Sequence, residues 1–130
     1  MGRTLSDEQI AELAAEHEAA RQSASSIDPV SRRYPDVTLE DAYAIQAAWV
    51  ALQVEWGSVV RGKKIGLTSR AMQQAMNIDE PDYGILFDYM FIENGGSLVR
   101  ADHVDPKIEV ELAFVLSDEL NGADVTAHDV

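Results

Sequence analysis

The stretch "PKIEVELAFVL", Pro106 to Leu116, decides how the rest of the chain is read. Its density of branched and aromatic residues predicts the strongest strand of the sequence, over Lys107 to Leu116. Side chains two positions apart in a strand share a face. Ile108, Val110, Leu112, Phe114 and Leu116 thus form one face, and Glu109, Glu111, Ala113 and Val115 the other. The second face begins acidic and ends apolar. Two parallel carboxylates repel unless a cation, a shared proton or solvent relieves them. A hard divalent cation such as Mg²⁺ takes oxygen ligands and keeps water, which suits the pair. A solvated strand edge suits it equally well, because the spacing E-x-E is common.

Upstream, the pattern is helical. Ser6 and Gln9 have capping-box spacing, and Ile10, Leu13, Ala14 and Ala20 keep a loose helical period, predicting a helix from Asp7 to about Ser25. "SSIDPVSRRYPD" reads as a connector. Thr38 and Asp41 cap a second helix, along which Ala42, Ile45, Trp49, Leu52 and Trp56 make an apolar stripe, ended by Gly57. Such a stripe predicts core or subunit interface, with both tryptophans mostly buried.

Beyond Gly57 the pattern turns to strands. "SVVRGKKIGL" reads as a strand, and "TSRAMQQAMN" as a short helix capped by Thr68 and closed by Asn77. Further strands are predicted near Ile85 to Ile92 and over "SLV", Ser97 to Val99. Thr126 and Asp129 repeat the capping-box spacing at the end, a helix start with no helix after it or a frayed tail. The fold class is α+β: a helical segment over 1–57 leading into a β-rich body over 58–130.

Composition sets the outer limits. The 130 residues make about one domain, and a 46% hydrophobic content argues against disorder. There is no cysteine, so disulfides and thiol chemistry are excluded. A net charge of -13 disfavours nucleic acid and anionic membranes, though not a small anion held by local field. No apolar run has membrane-span length, and the first residues lack a signal-peptide core, so the expected location is cytoplasmic.

Two further constellations could carry chemistry. In "RGKKIGLTS", Lys64 shares its strand face with Gly62 and Gly66, which leave open space for an anionic or carbonyl ligand. The spacing is not that of a P-loop, and a solvated strand lysine is the simpler local reading. In "EPDYG", Asp82 follows a proline in a tight turn, where an aspartate most often bonds nearby amides. His17, His103 and His128 have no metal-ligand spacing and are read as non-catalytic.

Taken in order, "DAYAIQAAWV", "GKKIGLTSRAMQ", "EPDYGILFDYMF" and "PKIEVELAFVL" closely resemble the 2-oxo-hept-3-ene-1,7-dioate hydratases. These sit with the 2-hydroxypentadienoate hydratases and 4-oxalocrotonate decarboxylases in the fumarylacetoacetate hydrolase superfamily. The resemblance runs from the first helix to "GADVTAHDV" and is far more specific than any one motif. It implies part of a mixed β-roll, with 58–130 as the first part of a catalytic domain. It implies Glu109 and Glu111 as ligands of Mg²⁺ or Mn²⁺, Lys64 and Asp82 as catalytic residues, and Thr68 and Ser69 beside the substrate. The implied partner is a small anionic 2-oxo acid, in a homo-oligomer and in complex with the pathway decarboxylase. The family is longer and carries its third carboxylate ligand beyond the stretch matched here, so this chain corresponds to the N-terminal half. Two rival readings stand beside the hydratase: a 4-oxalocrotonate-type decarboxylase, and an inactive fragment that serves only as a subunit-interaction module.

Overall fold

The computed structural model describes residues 2–129. Two helices form its base: α1, Asp7–Gln22, and, after the four-residue α2 at Val30–Arg33, the long α3 at Leu39–Glu55. Both long helices start at complete capping boxes, Ser6 with Gln9 and Thr38 with Asp41, as their spacing predicts. α1 stops at Gln22, three residues short of the predicted end, where Ser23 caps it. α3 is capped by Trp56, and the chain turns through Gly57 at φ 96°, a conformation that favours glycine.

The core lies between α1 and α3. Leu5, Ile10, Leu13 and Ile45 form it, with Val30, Tyr34, Val37, Ala44 and Ala48 packed around them. The buried face of α3 is not quite the predicted stripe, since Asp41 and Gln53 are buried on it while Ala42 is exposed. Trp49 is half-buried, but Trp56 is 58% exposed, contrary to expectation. Trp56 lies one turn beyond Gln53, which contacts Glu18 of α1, so the last apolar residue of the stripe is left mostly in solvent.

Three buried polar side chains hold the two helices in register. Asp41 accepts from the Thr4, Leu5 and Thr38 amides and from the Thr4 and Thr38 hydroxyls, at 2.8–3.1 Å. Burial pushes its pKa up, but these hydrogen bonds outweigh burial and hold it well below the usual carboxylate range. Glu18 of α1 accepts from Trp49 Nε1 at 2.8 Å and Gln53 Nε2 at 2.7 Å, both on α3. It also accepts from Arg21 twice and from Gln22. Its pKa falls to about 2, chiefly through Arg21 and against the upward push of burial.

Beyond Gly57 one antiparallel pair forms, β1 at Val60–Gly66 and β2 at Asp82–Phe87, joined through the helix α4 at Arg70–Met76. Ser69, not Thr68, caps α4 by accepting from the Met72 amide, and Asn77 closes it at φ 54°. β2 lies earlier than the predicted strand near Ile85 to Ile92, because a 3-10 turn at Asp88–Met90 ends it. Neither Ser97 to Val99 nor Lys107 to Leu116 is a strand. The β-rich body expected over 58–130 is, among the described residues, a single hairpin. Strand-forming side chains need a partner ladder, and residues 106–116 have none there. Among the described residues no helix is long and apolar enough to cross a membrane.

The hairpin is seated on the helices by aromatic contacts. Tyr83 stacks on Tyr43 of α3 at 4.7 Å, and Gln46 Nε2 donates to the Tyr83 carbonyl at 3.1 Å. Phe87, fully buried, meets the Trp49 edge at 5.5 Å and stacks with Tyr89, over which lies the Arg21 guanidinium. Glu18, Trp49, Phe87, Tyr89 and Arg21 thus make a closed circuit joining α1, α3 and the end of β2.

Candidate active site

The register of the hairpin assembles the site. Lys64 pairs with Gly84, and Gly66 with Asp82. Paired residues of an antiparallel ladder share a face, as do residues two apart, so Lys64, Gly66, Asp82 and Gly84 lie together. Tyr83, on the other face, is held by α3, which turns the Lys64 face away from the helices. Lys63 lies on the Tyr83 side, its ammonium 5.7 Å from that ring.

Glycine flanks Lys64 on its own strand and across the ladder, so its side chain stands in open space. It does not stand there alone. Its Nζ lies 3.5 Å from Glu109 Oε2 and makes a short hydrogen bond to Glu111 Oε1. The Glu111 contact, and less strongly Glu109, raise the Lys64 pKa above its ordinary value against a smaller effect of burial. The ammonium therefore holds its proton. Glu109 and Glu111 reach one point although their segment is not a strand.

Asp82 sits at the start of β2 with its carboxylate against the bare Cα of Gly66. The carboxylate makes no hydrogen bond or ion pair among the described residues, so it does not bond the turn amides that its local sequence favours. Thr68 and Ser69 follow β1 at the same end of the hairpin, after Leu67 turns the chain at φ 51°. Both are exposed, and the Ser69 hydroxyl is committed to the Met72 amide as an acceptor, leaving its proton to donate. His17 and His103 bond carbonyls one turn back in the chain, Leu13 and Val99.

Two hard carboxylates converging on a cation match the donor chemistry of a divalent metal. Among the described residues no group of three or more His, Cys, Asp or Glu gathers around one point, so the pair supplies two of the several oxygen ligands such a cation takes. What sequence reasoning missed is the buried support: Glu18, Asp41 and Gln53 break the apolar period that finds a core. The capping box at Thr38 was the one signal pointing to any of them.

No family model matches the chain. A 2-oxo-hept-4-ene-1,7-dioate hydratase from Escherichia coli is 47% identical over 111 residues, covering 85% of this chain and 42% of that relative. Its name places the alkene at carbon 4, where the motif resemblance had carbon 3. A 2-hydroxyhexa-2,4-dienoate hydratase from Comamonas testosteroni is 40% identical over 130 residues, covering 97% of this chain and 49% of the relative. Among solved structures, a 4-oxalocrotonate decarboxylase from Pseudomonas putida G7, complexed with magnesium and adipate, matches with a TM-score of 0.69 and 35% identity. That match covers 70% of this chain and 35% of the decarboxylase. The chain spans about half the length of the curated relatives it matches, and within that span it is a homologue of the 2-oxo-hept-4-ene-1,7-dioate and 2-hydroxypentadienoate hydratases.

Proposed function

We propose that this chain carries part of the active site of a metal-dependent hydratase acting on a 2-hydroxy-2,4-dienoate or 2-oxo-enoate in aromatic catabolism. The observation that carries the reading is the convergence of Glu109 and Glu111 on Lys64, on the hairpin face that also holds Asp82. Glu109 and Glu111 would hold Mg²⁺ or Mn²⁺. The cation would supply Lewis acidity to the carbonyl of the 2-oxo acid, stabilising negative charge on its enolate oxygen.

The remaining work falls to the chain's own residues. The dienol is ketonised as its hydroxyl loses a proton and the far carbon gains one. Water then adds across the conjugated alkene to give a 4-hydroxy-2-oxo acid. Asp82, exposed and unpaired, delivers the proton or orients the water. Lys64, charged, offsets the carboxylate and developing enolate of the substrate. Thr68 and Ser69 donate hydroxyl protons to the same anion. In this reading 1–57 is a helical support, and 58–130 begins a β-roll of the fumarylacetoacetate hydrolase type, in a cytoplasmic homo-oligomer that meets the pathway decarboxylase.

Decarboxylation uses the same enolate stabilisation, and the match to a decarboxylase of known structure favours it as the second reading. The test is Mn²⁺ titration by calorimetry of a full-length protein that carries this segment, then assays with a 2-hydroxydienoate and with 4-oxalocrotonate. Metal-dependent hydration, with Mn²⁺ affinity lowered at least about tenfold by Glu109→Gln or Glu111→Gln, is expected, as for loss of a direct ligand. Release of CO₂ without hydration would establish the decarboxylase. Mn²⁺ binding unaffected by either substitution would remove the glutamates from the site.

A further inference from the structure

We infer that Gly66 is a positioning residue: its missing side chain is the seat of the Asp82 carboxylate. A Cβ built at Gly66 would collide with Asp82 Oδ1 and would lie 3.3 Å from Cγ and 3.7 Å from Oδ2. Those three side-chain atoms are its nearest neighbours. Gly66 is not among the glycines at positive φ, so the backbone of β1 does not itself require glycine here. The other two glycines of this hairpin face behave differently. A Cβ at Gly62 or Gly84 would meet nothing within 4 Å. Bareness at position 66 therefore serves one neighbour, and that neighbour is the carboxylate.

The carboxylate also lacks any other anchor. No hydrogen bond or ion pair fixes the Asp82 carboxylate among the described residues, and the ladder and Pro81 before it restrain only the backbone. What keeps the carboxylate low across β1, at the end where Thr68 and Ser69 begin, is the absence of a methyl group beneath it. A methyl at 66 would lift the carboxylate outward. Because Asp82 is exposed, it can yield by changing to another staggered rotamer. The substitution thus moves the carboxylate while sparing the fold, which separates positioning from structural support.

The functional half of this inference rests on the hydratase reading, and the experiment keeps the two apart. Gly66→Ala and Gly84→Ala each add a methyl to the same hairpin face. The first readout is the Asp82 side-chain carboxyl ¹³C resonance in the full chain. It should move in Gly66→Ala and stay in place in Gly84→Ala, and an unmoved resonance in Gly66→Ala overturns the inference. The second readout is turnover: kcat should fall roughly 100-fold in Gly66→Ala with KM nearly constant, the scale of misplacing a reacting group by an ångström. A moved resonance in a chain whose wild type shows no dienoate hydration supports the positioning and counts against the hydratase reading. Should Gly66→Ala lose stability, Asp82→Ala in the same chain should restore it, and failure to restore it shows that the carboxylate is not the group displaced.

Discussion

The pair α1 and α3 and the segment 106–116 are both rich in apolar residues, yet they end in opposite states. Between the helices the buried polar atoms are satisfied, and among the described residues no buried side-chain nitrogen or oxygen lacks a partner. Along 106–116, Ile108, Val110 and Val115 are 97–99% exposed, and Leu112 is 89% exposed. Helix signals are local: a capping box and a 3.6-residue period specify a helix within one stretch of chain. A strand signal specifies only readiness to pair, and the partner must come from elsewhere. The helices are built from their own sequence, whereas the hydrogen bonds that tie 106–116 to the hairpin run from Lys64 to Glu109 and Glu111.

The comparison breaks most readily at Glu18. Glu18→Leu leaves the Arg21 guanidinium, the Trp49 indole N–H and the Gln53 amide without their shared acceptor. Removing one member of a buried ionic cluster costs about 3–5 kcal/mol. Urea unfolding followed by helical circular dichroism should show a loss of that size. A loss below about 1 kcal/mol, the net worth of an ordinary hydrogen bond, would mean that the circuit is not what joins α1, α3 and β2.

Acid probes the same carboxylate without mutation. Glu18 has a folded pKa of about 2 against a reference of 4.5, so its contribution is fully present above pH 4.5. It is lost as pH falls through 2, and amounts to on the order of 3 kcal/mol. Asp41, whose pKa is also depressed, acts in the same direction. Stability should therefore decline below pH 4.5 in the wild type. The decline should be shallower in Glu18→Leu, and equal slopes would contradict the assignment.

The two tryptophans sharpen the contrast within one helix. Trp49→Phe keeps an aromatic ring beside Phe87 but removes the N–H donated to Glu18, a loss of about 1.5–3 kcal/mol for a bond to a charged group. Trp56→Phe, at an exposed indole, should change stability by about 0.5 kcal/mol or less. Acrylamide should quench the Trp56 fluorescence in Trp49→Phe far more readily than the Trp49 fluorescence in Trp56→Phe.

These residues also show what was legible in the sequence. The capping boxes and starts of α1 and α3, the turn at Gly57 and the Asn77 cap follow from chemistry within four residues, and each stands where expected. By contrast, α4 starts one residue later than its Thr68 signal, and α2 lies in a stretch read as a connector. The placement of Lys64 between glycines followed from alternation along β1. The meeting of Glu109 with Glu111 did not follow from its expected cause, because the strand whose alternation was to bring them together is absent. What stayed hidden depends on distant partners. Glu18 and Gln53 lie outside the apolar period, and their burial depends on Trp49 and Arg21 meeting them. Trp56 reads as core until the helix is seen to outrun its neighbour. The register that sets Asp82 on Gly66 is a pairing across 16 positions, and no local pattern encodes it.

The smallest effect on stability is expected where the sequence signal was strongest. Val110→Lys with Leu112→Lys replaces two side chains that touch almost nothing, so the urea midpoint of the helical pair should stay within about 0.5 kcal/mol of wild type. Association should respond instead. A run of exposed apolar residues with unpaired backbone is a template for another strand or apolar surface, and charge on such an edge discourages pairing. Sedimentation velocity should show the wild-type chain self-associating with concentration and the double variant shifted toward monomer. Glu109 and Glu111 flank both substitutions, so metal titration of the same variant checks that the grip on Lys64 persists. If the helices lose several kcal/mol, the segment packs against them in solution and the contrast fails. If stability holds and association falls, 106–116 is a strand awaiting a partner.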